Sequence, residues 1–501
     1  MHIRPAAAIE PNTLAHETDA LIAPSGFREY DARWLFPEQI NLAGFQLLGM
    51  ALATQMRRHR VPGNAIVVGH DYRSYSASVK HALTIGLIAG GANVYDIGLA
   101  LSPMAYFAQF HLDVPAVAMV TASHNENGWT GVKVGLQRPV THGTDEMAEL
   151  KGIVLDGEAR AEKGGTYRMV AGIADAYIAD LVEKNPLTNK PKVVVACGNG
   201  TAGAFAPRLF EMLGCEVVPL HCELDHSFPN HNPNPEDIAM LRELGAAVRE
   251  HGADAGFAFD GDGDRCGVVD ENGEEIFSDK IGLMIARGFA ATHPDTKLVV
   301  DVKSTGLFAN DPVLRDAGIA VEYWKTGHSH IKRRLADTGA LAAFEKSGHF
   351  FFGGEFGRGY DDGLLSALMV CRMLDQNAGS SMRDLYEALP RTWQTPTLSA
   401  HCPDELKYGV VDKVTNHFLG LKNEGQTMLD RSIASVITTN GVRVTLDDGT
   451  WGLVRASSNK PEIVVVMESP TSGSRMREMF DLMDGVLRTM GEVGDYNQPI
   501  D

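Results

Sequence analysis

A multidomain α/β architecture is predicted by three features of this 501-residue sequence. Sets of three short, β-rich strands separated by helical stretches occur three times along the chain. Each set ends in, or runs into, a polar motif of the kind that collects ligands. The final quarter abandons the pattern for helical runs and paired strands, which reads as a smaller α+β domain.

The elements follow in order. Pro5 to about Pro24 is small or polar and reads as a loose tail. A helical segment, Ile40 to Arg58, leads into the strand Ala65 to Val68; a helix around Ser78 to Ala89 and strands at Val94 to Ile97 and Val117 to Val120 complete the first set. The second set has strands at Lys192 to Ala196, Glu216 to Pro219 and Ala255 to Phe259, and the third at Lys297 to Asp301, Ala320 to Trp324 and Ala342 to Glu345. The sets are hardly alike in sequence, so the repeat is one of structure. Right-handed crossovers would bring the strand ends to one side of each sheet, where α/β proteins bind ligands. From about Pro390 the strands are Val442 to Leu446, Gly452 to Arg455 and Ile463 to Met467. The predicted domains are 1–165, 166–277, 278–390 and 391–501, a division that suits a chain too long for one core.

Composition narrows the function. Hydrophobic residues make up 44% of the chain, ordinary for a soluble protein, and the net charge is −19. That charge argues against nucleic acid as a partner but leaves room for a small phosphorylated substrate in a local basic pocket. Six cysteines form no Cys-x-x-Cys pair, so neither a zinc site nor a disulfide framework is indicated. With no signal-peptide pattern and no apolar stretch long enough to cross a bilayer, a cytoplasmic location without membrane contact is expected.

Five motifs carry chemistry. TASHNENGWTGVK (Thr121 to Lys133) follows an apolar strand and sets Ser123 in a polar loop beside His124, Asn125 and Lys133. A serine so placed is a nucleophile or a carrier of a phosphoryl group. DGDGDR (Asp260 to Arg265) has three carboxylates at alternate positions in a glycine-rich loop, a donor set for a hard divalent cation. An EF-hand would fit Asp260, Asp262, Asp264 and Glu271, but Arg265 stands where its sharp turn needs glycine, and the apolar run AGFAF precedes the loop. EKSGH (Glu345 to His349) places a carboxylate and a hydroxyl two residues apart, on one side of an extended segment. WKTGHSHIK (Trp324 to Lys332) holds Lys325, His328 and Lys332 in a glycine-containing loop. RASSNKPEI (Arg455 to Ile463) clusters a guanidinium, hydroxyls and amides in a turn between two strands, which can hold a phosphate.

In their order along the chain, and with FREYDARW (Phe27 to Trp34) before them, the motifs resemble those of the α-D-phosphohexomutases. The resemblance covers nearly the whole chain. It departs at Thr130, where the family more often has Asn, at Phe344 and Lys346 in the Glu-x-Ser-Gly-His motif, and at Asn459, where a Thr is usual. The downstream GGEFGRG lacks the Ser-Gly-His of a sugar loop.

The resemblance implies four domains, three with mixed sheets, around a central cleft. It implies an intramolecular phosphotransferase that interconverts hexose 1-phosphate and hexose 6-phosphate, mannose and glucose being the expected sugars. Ser123 would be the phosphoserine, and Mg²⁺ would be held by Asp260, Asp262, Asp264 and an oxygen on Ser123. Arg265 and His124 would assist phosphoryl transfer, with Lys133, His328 and His349 as candidate acids and bases. Tyr30, Arg33, Lys303, Lys325, Glu345 and Ser347 would bind substrate, and Arg455, Ser457, Ser458 and Asn459 its non-reacting phosphate. A hexose 1,6-bisphosphate would be intermediate and activator, and the protein a monomer or weak dimer. Phosphoglucosamine mutase and a non-catalytic sugar-phosphate binder are the alternatives within the family. A serine hydrolase is disfavoured by the lack of a Gly-x-Ser-x-Gly elbow.

Overall fold

The computed structural model describes residues 3–500. Its first three sheets are variations on one plan. In the first, the β-branched strand Ala65–His70 is central and runs parallel to Asn93–Leu99 on one side and to Ala116–Val120 on the other. In the second sheet Lys192–Ala196 lies between Glu216–Leu220 and Ala255–Phe259, and in the third Lys297–Asp301 lies between Ala320–Trp324 and Ala342–Phe344. The central strands KVVVA and KLVVD are buried along almost their whole length, as expected of parallel strands covered on both faces.

Each third strand then reverses into an antiparallel partner. These partners are Trp129–Gly135, Cys266–Val269 and Phe350–Phe352. The three reversals carry Ser123, the Asp260–Arg265 loop and the Glu345–His349 loop. Repetition of one plan therefore delivers three chemically distinct hairpin tips to equivalent places.

The sheets are held together by a continuous apolar core that runs from Val67 and Met119 through Val195 and Phe257 to Val300 and Phe344. The helix Ser102–His111, buried along most of its length, joins the first two sheets: Ser102 N donates to Asp262 O at 2.9 Å. Cys266 N donates to Gly348 O at 3.1 Å, tying the second sheet to the third. The C-terminal part is an antiparallel sheet containing Val442–Leu446, Trp451–Ala456 and Glu462–Ser469. The helices Asp404–Asn423 and Gly473–Met490 cover one of its faces through residues such as Val414, Phe418, Met479 and Met483.

Three local expectations need correction. The N-terminal segment is not a loose tail: it carries the helix Leu14–Thr18, and Leu21 and Ile22 are fully buried. Its anchor is Asn41, whose side chain accepts from Leu21 N at 3.0 Å and donates to His16 O at 2.7 Å while capping the helix Leu42–Arg58. The strand Thr166–Met169 pairs with Asn93–Leu99, so a boundary after residue 165 would cut it from its sheet. Its four exposed residues give no apolar pattern to reveal it. Finally, the strand at Ala342 stops at Phe344, and Glu345 opens a turn closed by Gly348 N donating to Glu345 O at 3.1 Å. Gly348, at φ +91°, takes a backbone conformation that L side chains disfavour.

Candidate active site

The hairpin tips and the C-terminal turn surround one cavity of about 570 Å³. It is lined by Tyr30, Arg33, Ser123, His124, Lys133, Arg265, Lys303, His328, Glu345, Ser347, His349, Arg455, Ser457, Ser458 and Asn459. Lys325 is the one expected substrate-binding residue that does not line it. Thr326 takes the inward position there, donating from Oγ1 to Asp301 Oδ2 at 2.9 Å.

Ser123 sits at φ +51°, a left-handed conformation uncommon for a residue with a side chain. The loop that imposes it is held from beneath. Arg73 donates to the carbonyls of Ser123 at 3.0 Å, Asn125 at 2.8 Å and Glu126 at 2.9 Å. Asp71 fixes Arg73 at 3.2 Å and accepts from Thr121 Oγ1 at 2.8 Å, and Thr121 Oγ1 in turn accepts from Ser123 N at 2.9 Å. Arg33 grips the other side, donating to Ala122 O at 3.0 Å and Asn125 Oδ1 at 2.9 Å. So held, Ser123 Oγ donates across the domain boundary to Asp260 Oδ2 at 3.0 Å and lies 3.2 Å from His124 Nδ1.

The three aspartates present one carboxylate oxygen each within 4.8 Å of the others, all fully buried. Burial and then the neighbouring Asp264 and Asp262 push Asp260 well above the usual carboxylate range. Lys133 reaches in from the strand Trp129–Gly135 and ion-pairs with Asp262 at 2.7 Å and Asp264 at 2.5 Å. Burial opposes its charge, but the two carboxylates outweigh that and hold it well above the ordinary lysine value. Even so, Asp262 Oδ1 and Asp264 Oδ1 are buried without a hydrogen-bond partner. Three mutually repelling carboxylates with unpartnered buried oxygens are a donor set that a hard dication satisfies, so the residues fit Mg²⁺.

Around them, Arg265 Nε donates to His349 Nε2 at 2.9 Å, and His349 Nδ1 lies 3.0 Å from Asp361. Lys332 ion-pairs with Asp361 at 2.8 Å and does not face the cavity. His328 is the first residue of the helix His328–Thr338, not a loop residue. Both its ring nitrogens lack partners, and burial together with Lys332 keeps its pKa well below the usual histidine value. His124 is likewise lowered, by burial and then by Arg265 and Arg33. Burial raises Glu345, which accepts from Ser347 Oγ at 3.3 Å.

At the opposite wall Arg455 donates to Ser458 Oγ at 3.3 Å, leaving its Nε unpartnered. Lys407, unremarked in the sequence, braces this turn by donating to Ser457 O at 2.6 Å and Lys460 O at 2.9 Å. Asp71, Arg73, Lys407 and Asp361 act behind the cavity wall, where no loop motif marks them. Asn459 Nδ2 donates to Tyr30 OH at 3.3 Å, closing the ring of domains.

Models of the three α/β/α domains of phosphoglucomutase/phosphomannomutase match residues 24–161, 175–273 and 277–393. The chain belongs to the α-D-phosphohexomutase family. It is 34% identical to a phosphomannomutase/phosphoglucomutase of Pseudomonas putida over 93% of this chain and 97% of that protein. A phosphoglucomutase of Neisseria meningitidis is 33% identical over 91% and 95% of the two chains. The crystal structure of a phosphoglucomutase/phosphomannomutase family protein from Burkholderia thailandensis has 32% identity and superposes with a TM-score of 0.84, covering 95% of this chain and all of that one. Phosphohexomutases are isomerases, and among the described residues here no helix is long and apolar enough to cross a membrane.

Proposed function

We propose that this phosphohexomutase moves a phosphoryl group between O1 and O6 of a hexose by way of Ser123. The observation that carries the reading is that Ser123, Arg265 of the aspartate loop and the Arg455 turn, each from a different domain, line one cavity, with the buried Asp260 bonded to Ser123 Oγ behind its wall. Phospho-Ser123 would meet the free hydroxyl of a hexose monophosphate. A bond forms between that oxygen and phosphorus, the Oγ–phosphorus bond breaks, and the hydroxyl proton passes to a base. The resulting 1,6-bisphosphate turns end for end and returns its other phosphate to Oγ; supplied from outside, it would activate unphosphorylated enzyme.

Asp260, Asp262, Asp264 and an oxygen on Ser123 would hold Mg²⁺, which when bound lowers the charge carried by the phosphoryl oxygens. Arg265 and Arg33 stabilise the same oxygens, and Lys133 can return a proton to Oγ. His328, whose ring nitrogens have no partner, would take the sugar proton, or His349 once Arg265 turns from its Nε2 to the phosphoryl oxygens, with His124 against Oγ. Tyr30 and Lys303 orient the substrate, and Arg455, Ser457, Ser458 and Asn459 hold the phosphate that does not react.

Sugar choice follows from the end-for-end turn, which exchanges O3 and O4 over a stationary Glu345 and Ser347. Mannose and glucose agree at both positions and differ at C2. Turnover of mannose 1-phosphate and glucose 1-phosphate with trace hexose 1,6-bisphosphate is therefore expected within about tenfold in kcat/KM, because one additional contact to O2 is worth only about 1 kcal/mol. Galactose 1-phosphate, inverted at C4, should be much poorer. A thousandfold gap between mannose and glucose would contradict the reading.

A further inference from the structure

The loop between the strand Glu216–Leu220 and the helix Ile238–His251 holds a cluster that phosphoryl transfer does not use. His221 opens the loop, His231 lies just past its middle, and Glu243 projects from the second turn of the helix. His221 Nε2 is 2.8 Å from Glu243 Oε1, and His231 Nε2 is 3.5 Å from Glu243 Oε2. The imidazoles meet edge to face, 5.7 Å between centroids, and one ligating atom of each of the three residues lies within 4.8 Å of the others.

His231 supplies a second, independent observation. Its side chain is only 7% exposed. Nδ1 is 3.3 Å from the Asn232 carbonyl, which can only accept, so the proton of the neutral ring sits on Nδ1 and Nε2 presents a lone pair. That Nε2 has no hydrogen-bond partner and is aimed at a carboxylate. A buried lone pair facing a carboxylate oxygen is unfavourable until a proton or a metal ion stands between them.

We propose that His221, His231 and Glu243 form a site for a first-row transition-metal dication, best suited to Zn²⁺ and separate from the phosphoryl-transfer centre. Two imidazole nitrogens and one carboxylate leave one position of a tetrahedron open, a donor set that favours Zn²⁺ over the all-oxygen preference of Mg²⁺. Ligand atoms of a tetrahedral zinc stand about 3.3 Å apart; the two histidine–glutamate separations here, 2.8 and 3.5 Å to the two carboxylate oxygens, bracket that value. Glu243, at the surface, provides an entry path.

Loading requires one rearrangement. Asn230 Nδ2 lies 2.9 Å from His221 Nδ1, an arrangement that puts the His221 proton on Nε2. To ligate, His221 moves that proton to Nδ1, and the Asn230 amide turns its oxygen to accept it, giving up its bond to Asn199 Oδ1 at 2.9 Å. The site also adjoins the reaction centre: Asn232, next to His231, donates from its side chain to the carbonyl of His124, one residue from Ser123. Bound metal would tie the loop to the helix and stiffen that brace.

The test is a Co²⁺ titration of the full chain in excess Mg²⁺, followed by visible absorption and metal analysis. The expected result is one equivalent of Co²⁺ with the bands of a low-coordinate, imidazole-bound ion, displaced by Zn²⁺ and not by Mg²⁺. Glu243→Gln and His221→Ala should each weaken it at least about tenfold. Asp262→Asn should retain it, and hydrogen exchange across residues 221–234 should slow on loading. Absence of Mg²⁺-resistant cobalt, or equal affinity in wild type, Glu243→Gln and His221→Ala, would overturn the proposal. Circular dichroism of the exposed-site variant Glu243→Gln separates loss of ligand from loss of fold.

Discussion

Glu29 shows how a single charge ties the phosphate wall to the rest of the cleft. Burial opposes its ionisation, but His330, whose Nε2 lies 3.0 Å away, and Ser458 pull its pKa from 4.5 down to about 2, with help from Arg455. A folded-state pKa below the unfolded value contributes stability that is complete above about pH 4.5 and fades as pH falls toward 2. The full linkage is about 3 kcal/mol as an upper bound. Urea denaturation from pH 6 to about pH 3 should therefore show Glu29→Gln losing less stability on acidification than the wild type; parallel curves would remove Glu29 from this role. At this scale the sequence was informative where function required an unusual residue type. Ser123, the aspartates and Arg455 stand out because loops seldom concentrate such groups. Lys407 and Asp71 do not, since each works by bonding to backbone or to another side chain, and single lysines and aspartates are common everywhere.

The hairpin tip is the element that matters most, and Gly348 is where its geometry is most demanding. At φ +91°, a Cβ there would lie 2.9 Å from Cys266 O, across the contact between the second and third sheets. Gly348→Ala should cost on the order of 1–3 kcal/mol and displace Glu345 and Ser347, raising KM for the hexose phosphate. Unchanged stability and KM would show that the tip tolerates another backbone conformation. The third strand of each set and the polar loop after it were legible because apolar runs followed by polar loops mark buried strands and their ends; the antiparallel return strands were not read from the sequence. The strand Thr166–Met169 was not, being exposed at a sheet edge, and neither was the helical start of His328, where Gly327 at φ +125° reverses the chain without an N-capping side chain. The N-terminal anchor escaped notice for a related reason: Asn41, which pins it, is distant in sequence.

Across the whole molecule, two of the contacts that join the C-terminal domain to the others are of opposite kinds. Arg28 and Asp404 form an ion pair of 3.1 Å with Asp404 exposed, worth no more than about 1 kcal/mol. Arg443 is buried, donates to Val302 O at 2.8 Å and Ser304 O at 2.7 Å, and lies 3.6 Å from the Trp451 ring centroid, beside Leu453 and Val466. Arg28→Ala, which removes that pair and leaves Asp404 with Lys407 at 2.7 Å, should leave thermal unfolding nearly unchanged, whereas Arg443→Met should cost about 2–4 kcal/mol and separate the unfolding of the last domain from the rest. A large effect of Arg28→Ala with none from Arg443→Met would reverse this assignment. The four-domain plan was readable from the repeated strand sets and the change of pattern near Pro390, but the packing of these interfaces was not. The claim on which all of this converges is that the phosphoryl group travels by way of Ser123. Enzyme loaded from labelled glucose 1,6-bisphosphate should carry one phosphoryl group, mapped to Ser123 by peptide mass spectrometry, and a chase with glucose 1-phosphate should move the label into the bisphosphate. Label on any other residue, or full turnover by Ser123→Ala, would contradict it.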